Sequence, residues 1–146
     1  MGRDILQGVT HVDPALLEPL RAALRDGPPL RLAVLFGSRA RGNARATSDF
    51  DVGIVPADAS LPLADELTLA SALSGVAGAE VDLVRLDRDD PLLGREVAQG
   101  GICLFEAAPG VFSAYRATAM SVWIDFEETI APHRATFLRK LAGSRT

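Results

Sequence analysis

The chain has 146 residues, 48% of them hydrophobic and 23% charged, with a net charge of -4 and a pI near 5.1. That is ordinary globular usage for one domain; it excludes wholesale disorder, and the acidic balance argues against a general nucleic-acid binder. One cysteine, Cys103, excludes an intrachain disulfide and a thiolate zinc cluster. The first residues lack the apolar core of a secretory signal, and no apolar run approaches the roughly 20 residues that span a bilayer. The expectation is a cytoplasmic chain without a membrane segment.

The pattern begins with a helix. Asp13 is placed to cap it, Pro14 to open it, and Leu16, Leu17, Leu20, Ala23 and Leu24 recur at helical spacing. Asp26-Gly27-Pro28-Pro29 ends it. Residues 30–36, LRLAVLF, read as a buried strand. Gly37 to Thr47 reads as a loop with room for one helical turn. Asp49 to Val55 alternates and reads as a second strand, stopped by Pro56.

Leu63 to Val76 reads as a helix, and Glu80 to Leu86 alternates as a third strand. Residues 90–99 form a short helix that Asp89 or Asp90 would cap, and ICLFE, 102–106, is a brief fourth strand on which Cys103 is expected buried and inert. From Val111 to Leu141 the pattern is helical, with Pro132 as a kink or break. The order α-β-β-α-β-α-β-α predicts an α/β (α+β) fold, a mixed sheet of about four strands covered by helices. The whole chain, 1–146, reads as one domain in which 110–142 is a C-terminal helical extension.

Two acids stand out. Asp49 and Asp51 are two residues apart, so on a strand they share a face with Cα atoms about 6.6 Å apart. Phe50 and Val52 point the other way, into apolar packing. Two carboxylates held this close repel, and a divalent cation resolves the conflict. Mg²⁺ prefers oxygen ligands, and two such ions roughly 3.5–4 Å apart hold both oxygens of an in-line displacement. Asp82, flanked by Val81 and Leu83, is costly in an apolar strand unless paired. It becomes a third ligand if its strand lies beside the second. Glu80 shares its face but stands at the strand's start.

Upstream, Gly37 lets backbone N–H groups approach a phosphate, and Ser38 adds a hydroxyl and the start of a helical turn. Arg39 and Arg41 offer planar donor forks to phosphate oxygens, and Ser48 braces the strand carrying Asp49.

The run GSRARGNARATSDFDVGI, residues 37–54, resembles the GSxxxG…SDxD pattern of the DNA-polymerase-beta-like nucleotidyltransferase superfamily. In a chain this short it looks like the minimal nucleotidyltransferases (MNT) that serve as antitoxins to HEPN-domain toxins. The resemblance implies that Gly37 and Ser38 bind nucleotide phosphates and that Asp49 and Asp51 bind Mg²⁺. Asp82 fits the family's third, more variable acid. It further implies two Mg²⁺ ions, ATP as donor, and transfer of AMP to a hydroxyl, commonly tyrosine, of a HEPN RNase toxin. No direct contact with nucleic acid is expected. Two alternatives remain at this level: an antitoxin that neutralises a HEPN partner by binding alone, and a small-molecule adenylyltransferase.

Overall fold

The computed structural model describes residues 12–41 and 49–144. Gly42, Arg45 and Ser48 lie outside the described residues, as does the side chain of Arg41. In chain order the elements are α1 (Pro14–Asp26), β1 (Leu30–Phe36), α2 (Ser38–Arg41), β2 (Phe50–Pro56), α3 (Leu63–Ala77) and β3 (Val81–Arg85). They continue with α4 (Pro91–Gly100), β4 (Ile102–Glu106), α5 (Val111–Ile130), a 3₁₀ turn (Ala131–His133) and α6 (Arg134–Ser144).

The four strands form one mixed sheet in the order β3-β2-β1-β4. β1 pairs antiparallel with both β2 and β4, whereas β2 and β3 run parallel. The parallel pair needs a crossover connection, and α3 supplies it. Alternation splits the strands between two cores. Ala33, Leu35, Phe50, Val52, Ile54, Val81 and Leu104 face Leu20 and Leu24 of α1 and Leu69 and Leu73 of α3. Leu32, Val34 and Phe36 face the other way, toward Val97 of α4 and Val111, Phe112 and Tyr115 of α5. β1 is a central strand covered on both faces, so six of its seven residues are buried and only Arg31 is exposed. This is why 30–36 reads as a continuous apolar run rather than an alternating one.

The caps follow the sequence. The Asp13 carboxylate accepts from Ala15 N at 3.0 Å, and Asp90, not Asp89, accepts from Leu93 N at 3.1 Å to open α4. β4 is an edge strand, and Arg21 of α1 covers part of its edge by donating to the carbonyls of Leu104 (3.0 Å) and Cys103 (3.2 Å). Cys103 itself is half-buried, a correction to full burial that follows from the edge position of its strand. Burial pushes its thiol pKa up, which keeps it protonated. Pro132 breaks the C-terminal helix rather than kinking it. α6 restarts beyond the 3₁₀ turn, and Phe137 packs edge-on against Phe126, centroids 5.2 Å apart. No helix among the described residues is long and apolar enough to cross a membrane.

A clasp at the end of β3 has no signal in the local sequence pattern. Arg85 is the one charged residue that is buried among those described. Its guanidinium donates to both Asp87 carboxylate oxygens (2.9 and 2.8 Å), to Glu66 of α3 at 2.8 Å, and to the Ala59 carbonyl at 2.9 Å. It therefore ties the crossover helix and the loop before it to the strand that carries Asp82. Removing one partner of such a group leaves charge uncompensated. Arg85→Ala should destabilise the fold by about 3 kcal/mol, read as a fall in the urea midpoint at unchanged slope.

The same clasp predicts an acid dependence. The hydrogen bonds from Arg85 hold the Asp87 carboxyl below the usual carboxylate range, against a smaller opposing effect of burial. A depressed folded-state pKa contributes stability that is complete above the unfolded value, roughly pH 4, and is lost as pH falls through the lower folded value. Urea unfolding from about pH 6 down to about pH 3 should show this loss in the unmutated chain, and Arg85→Ala should flatten it.

Candidate active site

β1 ends at Phe36 and the chain turns at Gly37, which is buried and has φ +80°. That left-handed backbone favours glycine, and a second restriction falls on the same atom. A Cβ on Gly37 would overlap a carboxylate oxygen of Asp51. The carboxylate thus lies against the bare backbone of the turn. Ser38 then opens α2, a single turn in which Ala40 N donates to Gly37 O at 3.1 Å. Ala40 is buried, which seats the turn on the sheet. Arg39 places its guanidinium carbon 4.1 Å from the centroid of the Phe50 ring.

The acids come next. Phe36 is the register partner of Asp51 across the antiparallel pair, so the end of β1 delivers Gly37 and Ser38 beside the start of β2. Asp51 is in turn the register partner of Asp82 across the parallel pair. Neighbouring strands lie about 4.8 Å apart, so these two carboxylates sit side by side on one face. Asp51 is half-buried and Asp82 exposed. The predicted strand start at 49 shifts by one residue. Asp49 stands exposed just outside β2, whose first ladder bond runs from Phe50 N to Glu80 O at 2.9 Å. Phe50 and Val52 enter the opposite core, as the alternation requires.

Among the described residues no three carboxylate, imidazole or thiolate side chains form a ready-made metal cage. The donor set still suits a hard divalent cation. It is all carboxylate oxygen, and Mg²⁺ usually takes one or two protein carboxylates and completes its shell with water and substrate phosphate. Adjacent like charges on paired strands are otherwise unfavourable. The face also carries two clefts of about 480 and 440 Å³, which share Val55, Tyr115 and Thr118. They lie four residues along β2 from Asp51, roughly 13 Å away, and are separate from the carboxylates.

The chain matches the family described as "Polymerase beta, Nucleotidyltransferase" over residues 18–109. It is 30% identical over 98 residues to the protein adenylyltransferase MntA of Aphanizomenon flos-aquae, covering 61% of this chain and 65% of that one. The match thus spans a little under two thirds of the relative's length. A chain from the crystal structure of a toxin–antitoxin with AMP-PNP superposes with a TM-score of 0.73 at 24% identity, covering 84% of this chain and 98% of the other. A chain from the structure of the tri-AMPylated Shewanella oneidensis HEPN toxin in complex with MNT antitoxin gives 0.68 at 22% identity, covering 85% and 97%. At these identities the two structures speak for the fold, and they agree with the mixed sheet, the covering helices and the C-terminal helical segment. With the family match covering more than half of its length, including the glycine turn and all three acids, the chain belongs to the polymerase-beta nucleotidyltransferase family.

Proposed function

We propose that this chain is an antitoxin that acts as a protein adenylyltransferase, moving AMP from ATP to a hydroxyl, most simply a tyrosine hydroxyl, of a cognate HEPN-type toxin. The observation that carries this reading is the register of Asp51 with Asp82, with the Asp51 carboxylate laid on Gly37. It sets a phosphate-sized turn against a carboxylate pair. The similarity to a protein adenylyltransferase and to a toxin–antitoxin fold supports the choice of a protein acceptor.

Gly37 and Ser38 bind the triphosphate through backbone N–H groups and the serine hydroxyl, and the sequence motif assigns Arg41 and Ser48 to the same task. Asp49, Asp51 and Asp82 are the residues that would hold two Mg²⁺ ions, and that charge would offset the triphosphate's and favour ionisation of the attacking hydroxyl. The acceptor oxygen bonds to the α-phosphorus as the bond to the bridging oxygen of the β-phosphate breaks. The hydroxyl proton leaves toward Asp82, and pyrophosphate departs. Catalysis rests on positioning and charge. ATP as donor supports a cytoplasmic setting, where ATP is abundant.

Co-expression with the product of a neighbouring HEPN-type gene tests the reading. The unmutated chain should restore growth, and a Asp49→Ala, Asp51→Ala variant should still co-purify with the toxin yet fail to restore it. Full rescue by that variant would instead establish neutralisation by binding alone.

A further inference from the structure

Arg39 has a task that its sequence position conceals. It sits in the one-turn helix α2 directly after Gly37 and Ser38, and its guanidinium lies 4.1 Å from the centroid of Phe50. That is well inside the range of a cation–π contact. Phe50 is a fixed point, 1% exposed and rooted in the core shared by α1 and α3. It is also the residue between Asp49 and Asp51. The contact therefore joins the middle of the phosphate-binding turn to the middle of the acid pair. Ala40 is the buried apolar anchor of this one-turn helix, and the stack adds a point of attachment to β2.

We propose that Arg39 is a positioning residue, whose stack on Phe50 fixes the span between the Gly37-Ser38 turn and the carboxylates of Asp49 and Asp51. The proposal rests on the nucleotidyl-transfer reading and deepens it. It separates Arg39 from the phosphate ligands among which its charge alone would place it. A metal–triphosphate complex must meet the turn and the acids together, whereas metal-free ATP needs only the turn. Losing the stack therefore costs the part of ATP affinity that depends on Mg²⁺.

Calorimetric titration of the full chain with ATP, in Mg²⁺ and in EDTA, tests this on binding alone. Arg39→Met should reduce the Mg²⁺-dependent gain in affinity about tenfold, the scale typical of residues that orient metal ligands, and leave metal-free affinity within about threefold. Arg39→Lys keeps the charge but loses the flat delocalised face, so it should resemble Arg39→Met. Phe50→Leu should reproduce the loss, and the double variant should be no worse than either single one. The two Arg39 variants remove no apolar side chain from the core and decide the matter even if Phe50→Leu fails to fold. A metal-free affinity that falls in Arg39→Met and recovers in Arg39→Lys would make Arg39 a direct phosphate ligand and overturn the proposal. So would an unchanged Mg²⁺ gain in Arg39→Met. No ATP binding by the unmutated chain would overturn the nucleotidyl-transfer reading itself.

Discussion

Asp51→Asn should lower AMP transfer by about a thousandfold, near 4 kcal/mol of transition-state stabilisation, while the chain stays folded and bound to its partner. Three placements single out this acid. It is half-buried where Asp49 and Asp82 are exposed, it lies on the bare backbone of Gly37, and it is the register neighbour of Asp82. The amide keeps the shape and removes the negative charge that would hold a divalent cation at the site. Asp58→Asn is the matched control. Asp58 is exposed in the loop before α3 and accepts hydrogen bonds from Ser60 at 3.0 and 2.8 Å, so its loss should leave transfer unchanged. A steady-state transfer assay on both variants reads the difference, and equal rates would remove Asp51 from the site.

Gly37→Ala should be nearly as damaging, for a steric reason. A left-handed alanine costs about 1–2 kcal/mol. Its Cβ would also displace the Asp51 carboxylate, because the two cannot occupy the same volume. Transfer should fall about a hundredfold beyond the stability loss, near 2.7 kcal/mol. Gly78 separates the two effects. It caps α3 with φ +70°, and nothing lies within 4 Å of a Cβ placed there. Gly78→Ala should share the backbone strain, seen in thermal unfolding, and transfer AMP at the normal rate. If both variants lose activity alike, strain alone is responsible and the contact with Asp51 has no catalytic meaning.

Much of this site is legible in the sequence because it is local. Gly37-Ser38 and Asp51 lie in short motifs that mark a turn and the start of a strand, whereas Asp49 stands just outside the strand whose two-residue period would pair it with Asp51. Asp82 was legible only conditionally. Its alternation marks a strand, yet whether that strand neighbours β2 depends on a parallel crossover through α3 that no local pattern specifies. The Arg85 clasp was not legible. Its partners Glu66 and Ala59 are 19 and 26 residues away in sequence, and their meeting is a product of that same crossover. The stack of Arg39 on Phe50 was hidden for a related reason. Arg39 reads as a phosphate donor from its charge, and only the docking of α2 onto β2 brings it to a ring. The one-residue shift at Asp49 and the half-burial of Cys103 are edge effects, where alternation continues past the hydrogen-bonded ladder or one side of a strand lacks cover.

One covalent product decides whether this chain transfers AMP. The chain, Mg²⁺-ATP and the product of a neighbouring HEPN-type gene should be incubated together and each protein weighed intact by mass spectrometry. The toxin should gain the mass of one or more AMP groups, and the Asp51→Asn variant should leave it unchanged. A toxin of unaltered mass, held in a tight complex and silenced all the same, would contradict adenylyl transfer as the function of Gly37, Ser38, Asp49, Asp51 and Asp82.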